Sequence, residues 1–287
     1  MDSFIEQTLA MRAKRTYREE DRLLIQKGGY VSPNPNLYDD ILVALSLKKP
    51  ILLKGPSGSG KTRLAQSISA LFQQPMQSVN CSVDLDAEAL LGFKTIVSQD
   101  GQSTIEFVDG PVVTAMKRGH LLYIDEINMA KPETLPILHS LLDHRRMLTN
   151  PFTSEVIVAH EDFSVLSAIN EGYIGTSPMN EALKNRFVSF SIPYLQAEQL
   201  RTVLEQAVPE AEAPVIDTIM NLSEDLSKQA ANGLLADEAA SVRSLINALQ
   251  LAVHMPVDRA VTYAIAELLE DKMERDLVNE LTATWVK

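Results

Sequence analysis

One cysteine, Cys81, is all that 287 residues contain, which rules out an intrachain disulfide and fits a reducing compartment. No apolar run is long enough to span a bilayer. The first twenty residues hold Arg12, Lys14, Arg15 and Arg18 but no apolar stretch of signal-peptide type, so a cytoplasmic protein is expected. Histidine is scarce: His139 and His144 lie five apart with no matching cysteine or histidine cluster, and no zinc site is expected. Positive charge is scarce in the last third. Residues 195–287 carry 7 Lys/Arg against 16 Asp/Glu, while residues 1–194 carry 19 against 22. An acidic C-terminal region argues against a broad nucleic-acid surface, and the shift near 195 marks a domain boundary. The acidic stretch 267–280 reads as the solvated face of a terminal helix or as a partner's docking surface. The length suits two domains and a sizeable core.

Apolar periodicity supplies the elements. Residues 3–24 read as one partly exposed helix, broken by Gly28-Gly29, and residues 36–47 as a short amphipathic helix. Ile51-Leu52-Leu53 is a fully apolar run of the kind a buried parallel strand shows, and Thr62–Phe72 carries Leu64, Ile68 and Leu71 on one helical face. Met76–Val79, His120–Ile124 and Phe163–Ile169 are further buried strands, separated by helical stretches. Two insertions read as β-hairpins: Phe93–Val97 with Thr104–Val108 around Asp100-Gly101, and Arg146–Leu148 with Glu155–Ala159 across Asn150-Pro151. After Pro193 the spacing is helical throughout. Strands alternating with helices predict an α/β sandwich with a mainly parallel sheet, followed by an all-helical region.

Between the 51–53 strand and the 62–72 helix, Gly55-Pro56-Ser57-Gly58-Ser59-Gly60-Lys61-Thr62 fits G-x-x-x-x-G-K-[ST] at every fixed position. Glycines there let the backbone point its N–H groups at phosphates, and the helix N-terminus adds partial positive charge. Lys61 supplies a point charge to the outer phosphates, and the Thr62 hydroxyl is a magnesium ligand. ATP and Mg2+ are the cofactors this implies. Leu121-Leu122-Tyr123-Ile124 ends in Asp125-Glu126: Asp125 would hold the magnesium and Glu126 would polarise the attacking water. Asn170 ends the 163–169 strand, where an amide orients water or phosphate, or makes an Asx turn. Arg186 and Arg243 are each an arginine finger or a surface arginine.

The order of P-loop, Asp-Glu strand, Asn strand, Asn185-Arg186-Phe187 and a helical region with Ser241-Val242-Arg243 resembles the AAA+ ATPases from about residue 28 to at least 250. The resemblance implies that Glu126 is the Walker B glutamate, Asn170 sensor 1, Arg186 a finger acting in trans and Arg243 sensor 2. It places Tyr30 and Val31 against the adenine, and Arg63 follows the motif among the nucleotide-binding residues. Closer likeness is to the MoxR group and its CbbQ/NirQ/NorQ branch. That likeness rests on Leu90-Leu91-Gly92, Asp109-Gly110-Pro111, Asp125-Glu126-Ile127-Asn128, Leu141-Leu142-Asp143-His144-Arg145-Arg146 and Asn170-Glu171-Gly172-Tyr173. Glu171 departs from the proline of that pattern. In that group the hairpins are the helix-2 insert and the pre-sensor-1 hairpin, facing a ring pore or partner. Arg145 or Arg146 then acts in trans or forms a structural ion pair.

The expected fold is a P-loop AAA+ α/β core with a small helical lid: an N-terminal helical segment over 1–27, the nucleotide-binding domain over 28–194 and the lid over 195–287. The resemblance implies a homo-oligomeric ring, a hexamer, hydrolysing ATP as a chaperone-like activator or maturation factor. Its partners would be a von Willebrand factor A-domain protein and a client enzyme, possibly metal-containing; relatives of this kind serve Rubisco activation and nitric oxide reductase maturation. Two alternatives are a nucleic-acid motor or restriction-type subunit, which the acidic residues of the first hairpin disfavour, and a non-catalytic nucleotide-gated scaffold.

Overall fold

Strands that bury both faces must be covered by helices on both sides, and the apolar runs of this chain form such a layer. The computed structural model describes residues 3–81, 85–99, 102–170, 179–195 and 197–286. Its strands are β1 (Ile51–Gly55), β2 (Met76–Asn80), β3 (Gly92–Gln99), β4 (Gln102–Asp109), β5 (Leu121–Asp125), β6 (Met147–Thr149), β7 (Val156–Val158), β8 (Ser164–Asn170) and β9 (Val188–Ser191). Five make one parallel sheet in the order β2-β5-β8-β1-β9. The expected α/β fold with a parallel sheet is therefore present. β3 and β4 pair antiparallel, as do β6 and β7, giving the two expected hairpins. The Asp100-Gly101 turn lies outside the described residues, as does Glu171-Gly172-Tyr173. β9 had no sequence expectation behind it: Val188–Ser191 is a short edge strand with only Phe190 partly buried.

The chain divides into two units. One holds Met1–Tyr30, Asn36–Lys54 and Lys61–Ser191; the other holds Val31–Pro35, Gly55–Gly60 and Ile192–Lys287. In the first, Leu122, Ile124 and Val165 pack one face of the sheet against Val112, Val113, Met116 and Leu138. The helix Lys61–Phe72 buries Leu64, Ala65, Ile68 and Phe72, a helical repeat. In the second, Leu200, Leu204, Ile219, Leu222, Leu226, Leu245, Leu249, Val261 and Val278 form an all-helical core.

The 3–24 stretch is two helices, Ser3–Arg12 and Glu19–Arg22, rather than one. Long-range polar partners decide the break. The Arg12 guanidinium donates to Gln74 Oε1 and lies 4.0 Å from the centroid of the Phe72 ring; Arg15 pairs with Asp162. Beyond the break, Asp21 accepts from Arg118 at 2.8 Å. The segment then runs along the Lys61–Phe72 helix: Gln26 N–H donates to Ser69 Oγ at 3.2 Å and Tyr30 N–H to Ser67 Oγ at 2.8 Å.

Gln74 is the hub of this anchoring. It is fully buried, and its Nε2 donates to the carbonyls of Gly119 (2.7 Å) and Asp162 (2.8 Å) while its Oε1 receives Arg12. Gln74→Ala leaves two carbonyls and a buried guanidinium short of a partner, so a loss of about 2–4 kcal/mol is expected in urea unfolding. A loss under about 0.5 kcal/mol, the range of an ordinary surface change, would show that water replaces the amide.

Candidate functional site

Sheet order determines which strand ends meet. β1 lies between β8 and β9, with β5 on the far side of β8, so the C-terminal ends of β1, β8 and β5 are neighbours. β5 ends at Asp125, and its last pairing with β8 is Ile124 with Ser167. β8 runs three residues further, to Asn170. That overhang brings the Asn170 Nδ2 to within 2.9 Å of Glu126 Oε1, to which it donates. Glu126 itself turns away from the strand in the left-handed region (φ 51°, ψ 43°), uncommon for a residue with a side chain. Its N–H donates back to Asp125 Oδ1 at 3.1 Å. At this edge a carboxylate ends one strand, and a second carboxylate is held by the amide that ends the next.

Opposite them, the helix Lys61–Phe72 begins with Lys61, which is buried, and Thr62, which is exposed. Thr62 Oγ1 lies 3.1 Å from the hydroxyl of Tyr123, a residue the sequence reading treated only as part of an apolar strand. Burial pushes the Asp125 carboxyl up from its ordinary value; the Glu126 N–H, the charge of Lys61 and a hydrogen bond from Tyr123 pull it back. Behind it, burial pushes the Cys81 thiol up to about 11, helped by Asp125 and Glu126, so it stays protonated. Thr62 and Asp125 are hard oxygen donors of the kind Mg2+ takes with phosphate and water, and a desolvated carboxylate beside them gains from a cation. These residues fit magnesium.

Residues 55–60 belong to the other unit. Gly55 passes so close to Ile192 that a Cβ there would lie 2.2 Å from its carbonyl oxygen. Gly58 has φ +75°, and a Cβ on it would meet Ser241 Cβ at 2.8 Å. Only glycine fits either place. Ser59 Oγ is buried and has no hydrogen-bond partner among the described residues, the state expected of a loop side chain that awaits a phosphate. The Pro56 carbonyl accepts from Ser59 N–H at 3.3 Å, and the Ser57 carbonyl accepts from Tyr194 Oη at 2.8 Å. Gly60 passes directly into Lys61. Ser241, packed on Gly58, caps the helix Val242–Ala252, and Arg243 is exposed in its first turn.

The adenine candidates separate. Tyr30 sits in the first unit, its ring 5.9 Å from Tyr38, while Val31 packs on the helical core of the second. Arg63 lies over Gly29, whose Cβ position is 2.6 Å from Nη2.

Arg186 is not brought to this edge. It lines a cavity of about 550 Å³ with Lys48, Lys49 and Pro50, at the start of β1, and with His144 and Arg146. Its guanidinium donates to the Ala182 carbonyl of the preceding helix, Glu181–Lys184. β1 is five residues long, and at about 3.3 Å per residue its two ends lie roughly 13–16 Å apart. Of the two other arginines, Arg146 Nη2 donates to the carbonyls of His160 (3.0 Å) and Phe163 (2.7 Å). Arg145 makes an exposed ion pair with Asp143 at 2.9 Å. No helix among the described residues is long and apolar enough to cross a membrane.

Comparison with known proteins bears on the whole chain. Residues 50–187 match the AAA domain (dynein-related subfamily). The uncharacterized protein YojN of Bacillus subtilis is 52% identical over 98% of this chain and 92% of its own length. The uncharacterized protein SH1500 of Staphylococcus haemolyticus is 51% identical over 88% of this chain and 96% of its own. Among solved structures, two variants of Thermotoga maritima RuvB superpose with TM-scores of 0.54 and 0.51 at 17% identity, over 88% and 86% of this chain and 75% of theirs. At that identity the likeness is one of fold. With relatives alike along nearly their full length, the chain belongs to one family with YojN and SH1500, and its residues 50–187 are similar to the AAA domain of the dynein-related subfamily.

Proposed function

We propose that this chain hydrolyses ATP within a homo-oligomeric ring of the MoxR group, nearest its CbbQ/NirQ/NorQ branch. The observation that carries the catalytic part is the Glu126–Asn170 pair beside Asp125, on the sheet edge that Lys61 and Thr62 face. The Gly55–Gly60 backbone and Lys61 hold the triphosphate. Thr62 and Asp125 would hold magnesium, which would neutralise charge on the outer phosphates. Glu126 accepts a hydrogen bond from a water and aligns it for in-line attack on the terminal phosphorus, while Asn170 fixes that carboxylate. The new bond is between water oxygen and the terminal phosphorus; the bond broken is between that phosphorus and the bridging oxygen, which leaves on ADP, while the water oxygen departs in the phosphate. Arg243 stands in the sensor 2 role, Tyr30 and Val31 on the adenine side, and Arg63 among the nucleotide-binding residues.

The ring part rests on Arg186. Its place at the far end of β1 suits a finger that acts on the nucleotide of a neighbouring copy and not on its own. Such a contact joins unlike faces and closes as a ring, a hexamer by likeness to the group. The role supported by that likeness is chaperone-like activation or maturation of a client enzyme, with a von Willebrand factor A-domain partner.

Glu126→Gln is expected to lower hydrolysis at least about 100-fold while nucleotide binding and assembly persist. Normal phosphate release from that variant would remove Glu126 from catalysis. Asn170→Ala should cut turnover about 10- to 100-fold with nucleotide affinity within about twofold, since it orients and does not bind. Arg186→Ala should be inactive alone and regain phosphate release when mixed with Glu126→Gln subunits. Mixtures as inactive as either parent would rule out action in trans. Stimulation of turnover by DNA, with no von Willebrand factor A-domain protein recovered in a pulldown, would favour a nucleic-acid motor instead.

A further inference from the structure

Tyr123 is the only polar side chain in the Leu121–Ile124 run, and it is 1% exposed. A phenol buried for packing alone has its hydroxyl to account for, because an unpaired hydroxyl away from water is costly and phenylalanine has the same shape. This hydroxyl has a partner on the helix side and a carboxylate on its own face of the strand. Strand alternation puts Tyr123 on the same face as Asp125, two residues along, and away from Leu122 and Ile124. Its oxygen lies 3.1 Å from Thr62 Oγ1, and its hydroxyl is among the groups that favour the charged form of the Asp125 carboxyl. One atom therefore joins a helix residue and a strand residue 63 positions apart, Thr62 and Asp125, the two side chains that fit magnesium.

Proton placement makes the arrangement directional. A threonine oxygen that offers its lone pair to a cation must send its own proton elsewhere, and the acceptor beside it is Tyr123 Oη. The phenol then has one proton left, and the neighbouring acceptor is Asp125. The chain Thr62 O–H to Tyr123 O–H to Asp125 fixes both ligands by one shared group, as outer-shell partners do in other metal sites. We propose that Tyr123 is a positioning residue that ties Thr62 to Asp125 and so sets the affinity of the nucleotide site for Mg2+. The inference rests on the ATPase reading above.

The test measures binding of a fluorescent ADP analogue, mant-ADP, to the full chain in EDTA and across a Mg2+ titration. Tyr123→Phe, which removes one oxygen atom, should raise the half-saturating Mg2+ concentration about tenfold and leave affinity in EDTA within about twofold. In a Thr62→Ala background the same substitution should add much less, because the two groups act as a unit. Thermal melting of each variant establishes that it is folded. A wild-type Mg2+ requirement in Tyr123→Phe overturns the proposal, as does an equal loss with and without Mg2+ or an undiminished effect in Thr62→Ala. If Tyr123→Phe does not fold, 3-fluorotyrosine at position 123 in the otherwise native chain serves instead. Its fluorine resonance should shift when Mg2+ is added to the nucleotide complex, and an unmoved resonance overturns the proposal. Wild-type chain that binds no mant-ADP sinks the ATPase reading itself, an outcome distinct from nucleotide binding with no role for Tyr123.

Discussion

The 2.9 Å hydrogen bond from Asn170 to Glu126 is where sheet order, strand length and backbone strain meet. It exists only if β8 neighbours β5, if β8 overruns their last pairing by three residues, and if Glu126 turns back over its own strand end. The left-handed turn at Glu126 costs about 1–2 kcal/mol for a residue with a Cβ. A hydrogen bond to a charged group contributes about 1.5–3 kcal/mol, enough to offset that cost. A carboxylate held this way is restricted in orientation, which is what a group that must align a water requires. Local strain is tolerated where the surrounding sheet over-determines it.

The same sheet separates the charges. The edge that gathers Asp125, Glu126 and Asn170 faces Lys61, while Arg186 shares the opposite edge with Lys48, Lys49 and Arg146. In the proposed ring these unlike edges would meet head to tail. Arg146 is engaged by the carbonyls of His160 and Phe163, and Arg145 by Asp143, so Arg186, held among the described residues by a carbonyl of the preceding short helix, is the one of these three arginines best suited to reach outward.

Much of this was legible in the sequence because it is periodic or local. Leu64 and Ile68 repeat at helical spacing, the 51–53 and 120–124 runs are apolar on both faces, and the glycine loop has fixed offsets. Two hairpins were readable from turn residues between alternating runs. The break after Arg12 was not, because its causes are Gln74 and Asp162, far along the chain. β9 was not, because an edge strand with little buried surface leaves no apolar signature. Arg186 was legible as a residue but not as a place; only the cavity at the start of β1 shows which edge it serves.

Tyr123 and Gln74 mark the limit of reading by hydrophobic pattern. Each lies in or beside an element whose neighbours are apolar, and each is essentially buried. A pattern of apolar and polar letters files the first as core and the second as loop. Physical chemistry asks a different question of a buried hydroxyl or amide, namely where its partners are. For Gln74 the answers are a carbonyl after the Pro111–Arg118 helix, a carbonyl ahead of β8 and a guanidinium of the N-terminal segment. For Tyr123 they are the first turn of the loop helix and the acidic end of its own strand. In both cases the polar atom joins elements that apolar contact alone would leave free to slide. Burial supplies most of the stabilisation, and these few hydrogen-bonded atoms determine the register at which it is obtained.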